Sequence, residues 1–249
     1  MATQSVTVGL RVLEEVSVRQ PAGLSSLARE LGIPKATVQR CLVTLADEGW
    51  IRRTTDGSGW ILTAKAFVVG SRVEAAGALR EAALPVLSEL QQYTRENIHL
   101  MVAEGRDMVL IERLDSSYSL RVFRPIGGRG PMHVLGNGIV YLAHQPAAAV
   151  ERYLSQELVA ATGRSIVDPD ELRARLAEVR SAGYCVNEEG YEEGIVSVSA
   201  PIIGMDGNAV ATFSISGPTS RVKPDRYEDY GQRAVAAATQ VGRTLRSAP

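Results

Sequence analysis

The most constraining feature of the sequence is a series of three short apolar-periodic segments near the N-terminus, separated by residues that end helices. Apolar residues recur every three or four positions in 6–16, 24–31 and 38–45, a spacing that predicts three amphipathic helices. Gly32 suits a left-handed stop after the second helix, and Pro34 suits the first turn of the third. In the first helix, the residues predicted to face the core are Val6, Leu10, Leu13 and Val16.

A predicted β hairpin follows the third helix. Segments 50–53 and 60–62 alternate like strands, and the turn at 56–59 contains two glycines. Three helices followed by a two-stranded wing is the order of a winged helix-turn-helix domain.

The face of the third helix opposite Val38 carries residues suited to a DNA groove. Arg and Gln can pair with guanine and adenine edges, while Lys and Thr reach phosphates. Residues 1–70 hold eight basic and six acidic residues, a net charge of +2, so a protein-interaction domain with solvated charges stays open as an alternative. The candidate DNA-binding residues are Lys35, Ala36, Thr37, Gln39, Arg40, Arg52 and Arg53.

A long helical stretch, 64–92, follows the hairpin and is interrupted by Gly70, Gly77 and Pro85. Placing the domain boundary near Gly77 gives an N-terminal domain of residues 1–76, which includes the start of a linker helix, and a second domain of residues 77–249. In the second domain we predict strands at 98–103, 108–112, 120–124, 184–187, 196–203 and 209–216, a glycine-rich loop at 125–130, and helices at 139–144, 147–154, 169–182 and 234–245.

Composition limits the class of protein. The 249 residues are enough for two domains, the net charge is −1, and two cysteines cannot build a disulfide framework or a four-thiolate zinc site. No apolar run approaches the ~20 residues of a membrane span, and no signal peptide is visible at the N-terminus. We therefore expect a soluble, cytoplasmic protein with no membrane partner.

Four segments resemble the IclR family of bacterial transcription regulators. They are 24–40, 131–143, 183–194, and 200–203 together with 214–218, in family order and spacing. The resemblance covers nearly the whole chain. It implies an α+β protein with an N-terminal winged helix-turn-helix domain, a linker helix and a C-terminal GAF-like effector-binding α/β domain, assembled as a homodimer or homotetramer.

The resemblance also implies a small-molecule pocket in the second domain. Glycines at the start of a helix can offer N–H groups to a carboxylate, and Ser214 and Ser216 share one face of a strand. The alternative is that the glycines only form a turn and the serines are ordinary strand residues. The matching positions are Gly136, Asn137, Asn187, Ser197, Ser214 and Ser216.

Two of these positions, and one residue just after the glycines, depart from the family pattern. Asn187 stands where an acidic residue is frequent, Ser197 where a cysteine is frequent, and Ile139 where a basic residue is usual. These changes leave an aromatic or amide-containing acid open as the effector beside small keto acids. The nearby arginines, Arg121, Arg124 and Arg129, could offer a guanidinium to an anion, but each is expected to lie on the solvated surface.

The expected function is therefore a DNA-binding transcription regulator, taken to be a repressor, that recognises an inverted repeat and responds to a small organic acid. The alternatives are an enzyme acting on a small metabolite, or a DNA-binding protein that needs no ligand. The sequence contains no Gly-x-Ser-x-Gly elbow, phosphate loop or His-Glu-x-x-His motif, and its three histidines lack metal-ligand spacing. We expect no catalytic residues, no metal and no cofactor.

Overall fold

The computed structural model describes residues 3–70, 74–120 and 122–247, and the chain divides into two compact units, 1–77 and 78–249. Each unit has its own core. The first unit contains α1 (Gln4–Val18), α2 (Leu24–Leu31), α3 (Lys35–Asp47), β1 (Ile51–Arg53), β2 (Trp60–Leu62) and α4 (Ala64–Gly70), and α5 (Glu74–Thr94) begins in it.

The winged helix-turn-helix prediction is confirmed in the first unit. Gly32 has a φ of 64°, so α2 ends in the left-handed conformation that glycine adopts without strain. Val38 and Leu42 of α3 are buried in a core that Leu27 and Trp60 also enter. Strands β1 and β2 pair antiparallel, with Arg52 opposite Ile61.

The buried face predicted for α1 is wrong in part. Val6 and Leu10 are 59% and 54% exposed, whereas Val12 and Val16 are fully buried. The helix carries two apolar rows at helical spacing, and the periodicity of one helix does not say which row meets α2 and α3. The exposed row therefore remains on the surface of this unit.

The second unit continues after α5 with eleven further elements. They are β3 (Asn97–Glu104), β4 (Asp107–Leu114), β5 (Arg129–Pro131), α6 (Gly136–Ala143), α7 (Ala147–Leu154), α8 (Pro169–Ala182), β6 (Cys185–Glu188), β7 (Ile195–Ile203), β8 (Ala209–Pro218), a 3₁₀ turn (Pro224–Arg226) and α9 (Tyr227–Ser247), as far as the chain is described. The strands form one six-stranded antiparallel sheet in the order β5-β4-β3-β8-β7-β6. One face of the sheet packs on α5 and α9 through an apolar cluster that includes Ile98, Val198 and Ile215.

The predicted strand at 120–124 is wrong for the part of it that the structure describes, which leaves out Arg121. Residues 122–124 are not in a strand, and the next strand begins at Arg129. Side chains from the sheet hold this segment by its carbonyl groups: Asn97 donates to Val122 O, and Arg113 Nη1 donates to Arg124 O at 2.7 Å. These bonds come from side chains and not from a neighbouring strand, and of the apolar residues in the segment Val122 is buried whereas Leu120 and Phe123 are exposed.

Helix α6 begins earlier than predicted, because Gly136, Asn137 and Gly138 form its first turn and not a loop before it. This turn lies close to neighbouring main chain. A Cβ atom placed on Gly138 would overlap the backbone of Met132. Only glycine lets α6 start at this position.

We expect Gly138→Ala to destabilise the protein by about 2–3 kcal/mol, since the methyl group has no space and the opposing atoms are main chain. Urea unfolding of the full-length protein measures the change. Gly163→Ala is the matched control, because a Cβ there meets nothing within 4 Å. Equal stabilities for the two variants would contradict the packing described for α6.

Candidate functional site

A polar cavity lies between the sheet and the first turn of α6. It is unusual because a sheet buried on both faces normally presents apolar side chains on both. Its lining residues come from four strands, from α6 with Leu135 before it, and from two loops. They are His99, Met101, Val122, Arg124, Leu135, Asn137, Asn187, Gly190, Tyr191, Glu192, Ile195, Ser197, Ser214 and Ser216.

Strand register explains why these polar groups meet. Residues directly opposite each other in antiparallel strands project to the same face. One row runs across β3, β8 and β7 through His99, Ser214 and Ser199. A second row runs across β8, β7 and β6, and consists of Ser216, Ser197 and Asn187.

The first turn of α6 lies directly over these rows. A Cβ on Gly136 would come within 2.6 Å of Ser197 Oγ and 2.8 Å of Ser199 Oγ. The N–H groups of Gly136, Asn137 and Gly138 donate to no acceptor within the described part of the chain. Buried, unpaired N–H groups at a helix N-terminus form a site for an anion.

Several of the polar side chains are held in place by hydrogen bonds. Asn137 Nδ2 donates to Thr212 Oγ1 at 3.1 Å, and Asn187 Nδ2 donates to Val134 O at 2.9 Å. The hydroxyl groups of Ser214 and Ser216 lie 3.1 Å apart and share a hydrogen bond. These contacts fix the direction in which the amide groups point.

Two buried polar atoms lack hydrogen-bond partners among the described residues, and both lie in the first row: His99 Nε2 and Ser199 Oγ. Burial, together with the nearby guanidinium groups of Arg124 and Arg113, lowers the pKa of His99 to about 3. The imidazole is therefore neutral at physiological pH.

The expectation that Arg124 lies on the solvated surface is wrong. It lines the cavity, and its guanidinium carbon stacks 4.4 Å from the centre of the Tyr191 ring. Arg129 is largely exposed and pairs with Glu104, as expected for a surface residue, while Arg121 lies outside the described residues. The cavity enclosed in this way has a volume of about 40 Å³.

Five of the six pocket positions named from the sequence line this single cavity, and the sixth, Gly136, lies against its wall. His99 and Tyr191 were not among the predicted pocket residues, and Arg124 was named as a group that could bind an anion but was expected at the surface. His99 had a usable signal, since it is a polar residue near the start of a predicted apolar strand. Tyr191 had none, and its contact with Arg124 was not predictable because the two residues are distant in sequence and meet only in the fold.

The candidate DNA-binding face lies on α3, within the first unit. Lys35, Ala36 and Arg40 are exposed, whereas Thr37 and Gln39 are half-buried. Arg40 Nη2 donates to Thr37 Oγ1 at 3.4 Å, so these two side chains lie together on the helix surface. The face thus presents one basic residue, Lys35, at the helix start and a second, Arg40, between one and two turns later.

The two wing arginines differ in their surroundings. Arg53 lies over the ring of Trp60, with its guanidinium carbon 4.7 Å from the ring centre. Arg52 projects from the opposite side of the hairpin, because successive strand residues alternate. Both side chains are exposed, but Arg53 also covers a core tryptophan.

In residues 3–70, 74–120 and 122–247, no group of three or more His, Cys, Asp or Glu side chains could hold a metal ion. No helix in that part of the chain is long and apolar enough to cross a membrane. His133 has a hydrogen-bond partner at each ring nitrogen, because its Nδ1 lies 2.8 Å from Tyr153 Oη and its Nε2 lies 3.0 Å from Val159 O.

Comparison with known proteins agrees with the two-domain reading. The family model for the IclR helix-turn-helix domain matches residues 5–55, and that for the bacterial transcriptional regulator IclR C-terminal domain matches residues 74–243. The chain is 31% identical over 242 residues to the transcriptional repressor IclR of Escherichia coli K12, covering 96% of this chain and 88% of that protein.

Two solved structures share the fold. IclR of Thermotoga maritima superposes with a TM-score of 0.81 at 24% identity, covering 97% of this chain and 98% of that one. An IclR homologue from Microbacterium hydrocarbonoxydans, solved with 4-hydroxybenzoate, superposes with a TM-score of 0.83 at 26% identity, covering 98% of this chain and 100% of that one. The relatives are transcriptional regulators and not enzymes, and the chain belongs to the IclR family of bacterial transcription regulators.

Proposed function

We propose that this regulator is a repressor that reads an inverted-repeat operator through α3 and the wing, and that a small organic acid bound in the cavity controls its affinity for DNA. The observation that carries the proposal is the buried polar cavity beside the start of α6, where three N–H groups have no acceptor in the described chain. A carboxylate is the group that satisfies such donors. The relative solved with 4-hydroxybenzoate supports an acid of this kind.

Ligand binding requires the cavity to open. A cavity of roughly 150 Å³ holds a benzene ring, so a cavity of about 40 Å³ is too small for an aromatic acid. Arg124 and Tyr191 come from separate loops and meet by stacking alone, a contact worth about 1–2 kcal/mol. Separation of these loops is the least costly route into the cavity.

We expect Arg40→Ala to reduce discrimination between a selected operator and a single-mismatch site by about 1–3 kcal/mol, because Arg40 reads a base edge. Arg52→Ala is expected to weaken binding to all sites alike and to lower the salt slope by about 1, as for a phosphate contact. Arg52 is preferred to Arg53 here because Arg53 also packs on Trp60. Fluorescence anisotropy on DNA selected from a random pool measures both effects.

Arg19→Ala is the matched control for these variants, since Arg19 forms ion pairs with Glu15 and Glu30 at the end of α1. It is expected to change neither affinity nor specificity. An Arg40→Ala protein that keeps full specificity would show that α3 is oriented differently on DNA.

Exposed apolar residues in the first unit support assembly with a second copy of the chain. Val6 and Leu10 on α1 and Phe67 on α4, which is 77% exposed, leave apolar surface uncovered. A two-fold dimer also matches an inverted repeat.

Light scattering at micromolar concentration is expected to give at least a dimer. A monomer both with and without DNA would contradict this assembly.

We expect Ser214→Leu to abolish the response of DNA binding to the effector while leaving DNA binding without effector unchanged. The larger side chain fills a cavity position that is 1% exposed. The measurement is a mobility shift titrated with a panel of aliphatic and aromatic carboxylates that includes 4-hydroxybenzoate.

Two further variants make the effector test specific. Ser197→Leu changes a half-buried residue of the same cavity and is expected to act like Ser214→Leu if the latter folds poorly. Ser220→Leu makes the same substitution at an exposed position just after β8 and is expected to keep the response. A folded Ser214→Leu protein with an unchanged response would place the effector elsewhere.

A further inference from the structure

Nothing that surrounds His99 accounts for a polar side chain at this buried position of the cavity. It lies in β3, opposite Ser214 on one neighbouring strand and Arg113 on the other. It is 4% exposed, and its Nε2 has no hydrogen-bond partner within the described residues. An unsatisfied buried nitrogen costs stability, so a packed interior normally avoids it.

The other two histidines of the second unit show how this fold treats a histidine that only packs. His133 has a partner at each ring nitrogen, Tyr153 Oη and Val159 O. His144 Nδ1 lies 2.9 Å from Val140 O. His99 differs from both in lining a cavity, where a ligand atom can become the missing partner.

The charge state of His99 limits which kind of ligand atom can be its hydrogen-bond partner. Burial keeps the imidazole neutral, because its pKa is lowered to about 3. A neutral imidazole offers one donor and one acceptor but no charge to balance a carboxylate. The cavity already has other groups for an anion, namely the N–H groups of α6 and the guanidinium of Arg124.

We propose that His99 determines effector specificity by hydrogen bonding, through Nε2, to an uncharged oxygen of the ligand, while the N–H groups of α6 hold its carboxylate. The proposal rests on the proposed function and narrows the effector to a hydroxylated carboxylic acid. A site with a buried group that must bind a hydroxyl rejects the analogue that lacks it, since the group is then left unpaired.

The test is isothermal titration of the full-length protein with a matched pair of probes, 4-hydroxybenzoate and benzoate. The wild type is expected to bind 4-hydroxybenzoate about tenfold more tightly, which corresponds to one buried hydrogen bond. His99→Leu, which replaces the ring with an apolar side chain, is expected to bring the two affinities within about twofold. His99→Gln keeps a neutral hydrogen-bonding group and is expected to retain a preference.

A second measurement needs no ligand. His99→Leu removes an unsatisfied polar group, so the ligand-free protein is expected to melt about 2–4 °C higher than the wild type. His133→Leu is the matched control and is expected to melt lower, because it loses two satisfied hydrogen bonds. A lower melting temperature for His99→Leu assigns His99 a structural role and overturns the proposal.

Failure of this proposal is distinct from failure of the proposed function. Equal wild-type affinities for the two probes, no binding of either, or an unchanged preference in His99→Leu each overturn the role of His99 as stated. The proposed function fails separately, if no carboxylate in the panel changes DNA binding or if Ser214→Leu keeps the response.

Discussion

The packing of the first turn of α6 against the sheet is the constraint on which the candidate site depends. Gly136 and Gly138 bring the helix backbone so close to β7 and to Met132 that no side chain fits between them. The N–H groups of this turn are therefore buried beside the serine hydroxyls and away from water. A buried helix N-terminus without a capping side chain costs stability unless a ligand supplies an acceptor. The proposed anion site therefore exists at some cost in stability.

The rest of the second unit offsets that cost and shapes the cavity. The other face of the sheet is apolar and packs on α5 and α9, which buries most of the core. The loop that brings Arg124 to the cavity is tied to the sheet by Asn97 and Arg113, and Arg221 donates to Leu120 O at 3.2 Å. Arg221 in turn pairs with the buried Glu96. These bonds fix one side of the opening.

Two of the residues that depart from the family pattern make contacts in this chain that the residues frequent in the family could not make. Asn187 donates from Nδ2 to Val134 O, a bond that a carboxylate at this position could not make. Ile139 is buried in an apolar cluster with Met101 and Leu142, where a basic residue would be costly. The change at Asn187 therefore removes a negative charge from the cavity lining, which offers amide, hydroxyl, imidazole and guanidinium groups. That composition suits a ligand with both a carboxylate and an uncharged polar group.

The sequence by itself determined the local elements and the pairing of neighbouring pocket residues. Gly32 and Pro34 fixed the helix-turn-helix, since their conformational limits do not depend on the rest of the chain, and the spacing of Ser214 and Ser216 placed both on one face. Tertiary structure alone decided that Val6 and Leu10 remain exposed, that residues 122–124 form no strand, and that Arg124 meets Tyr191. Periodicity records which residues share a face, but the partner of that face is set by segments far away in the sequence. His99 lies between the two cases: its polarity was visible in the strand pattern, but its missing partner depends on contacts that only the folded sheet creates.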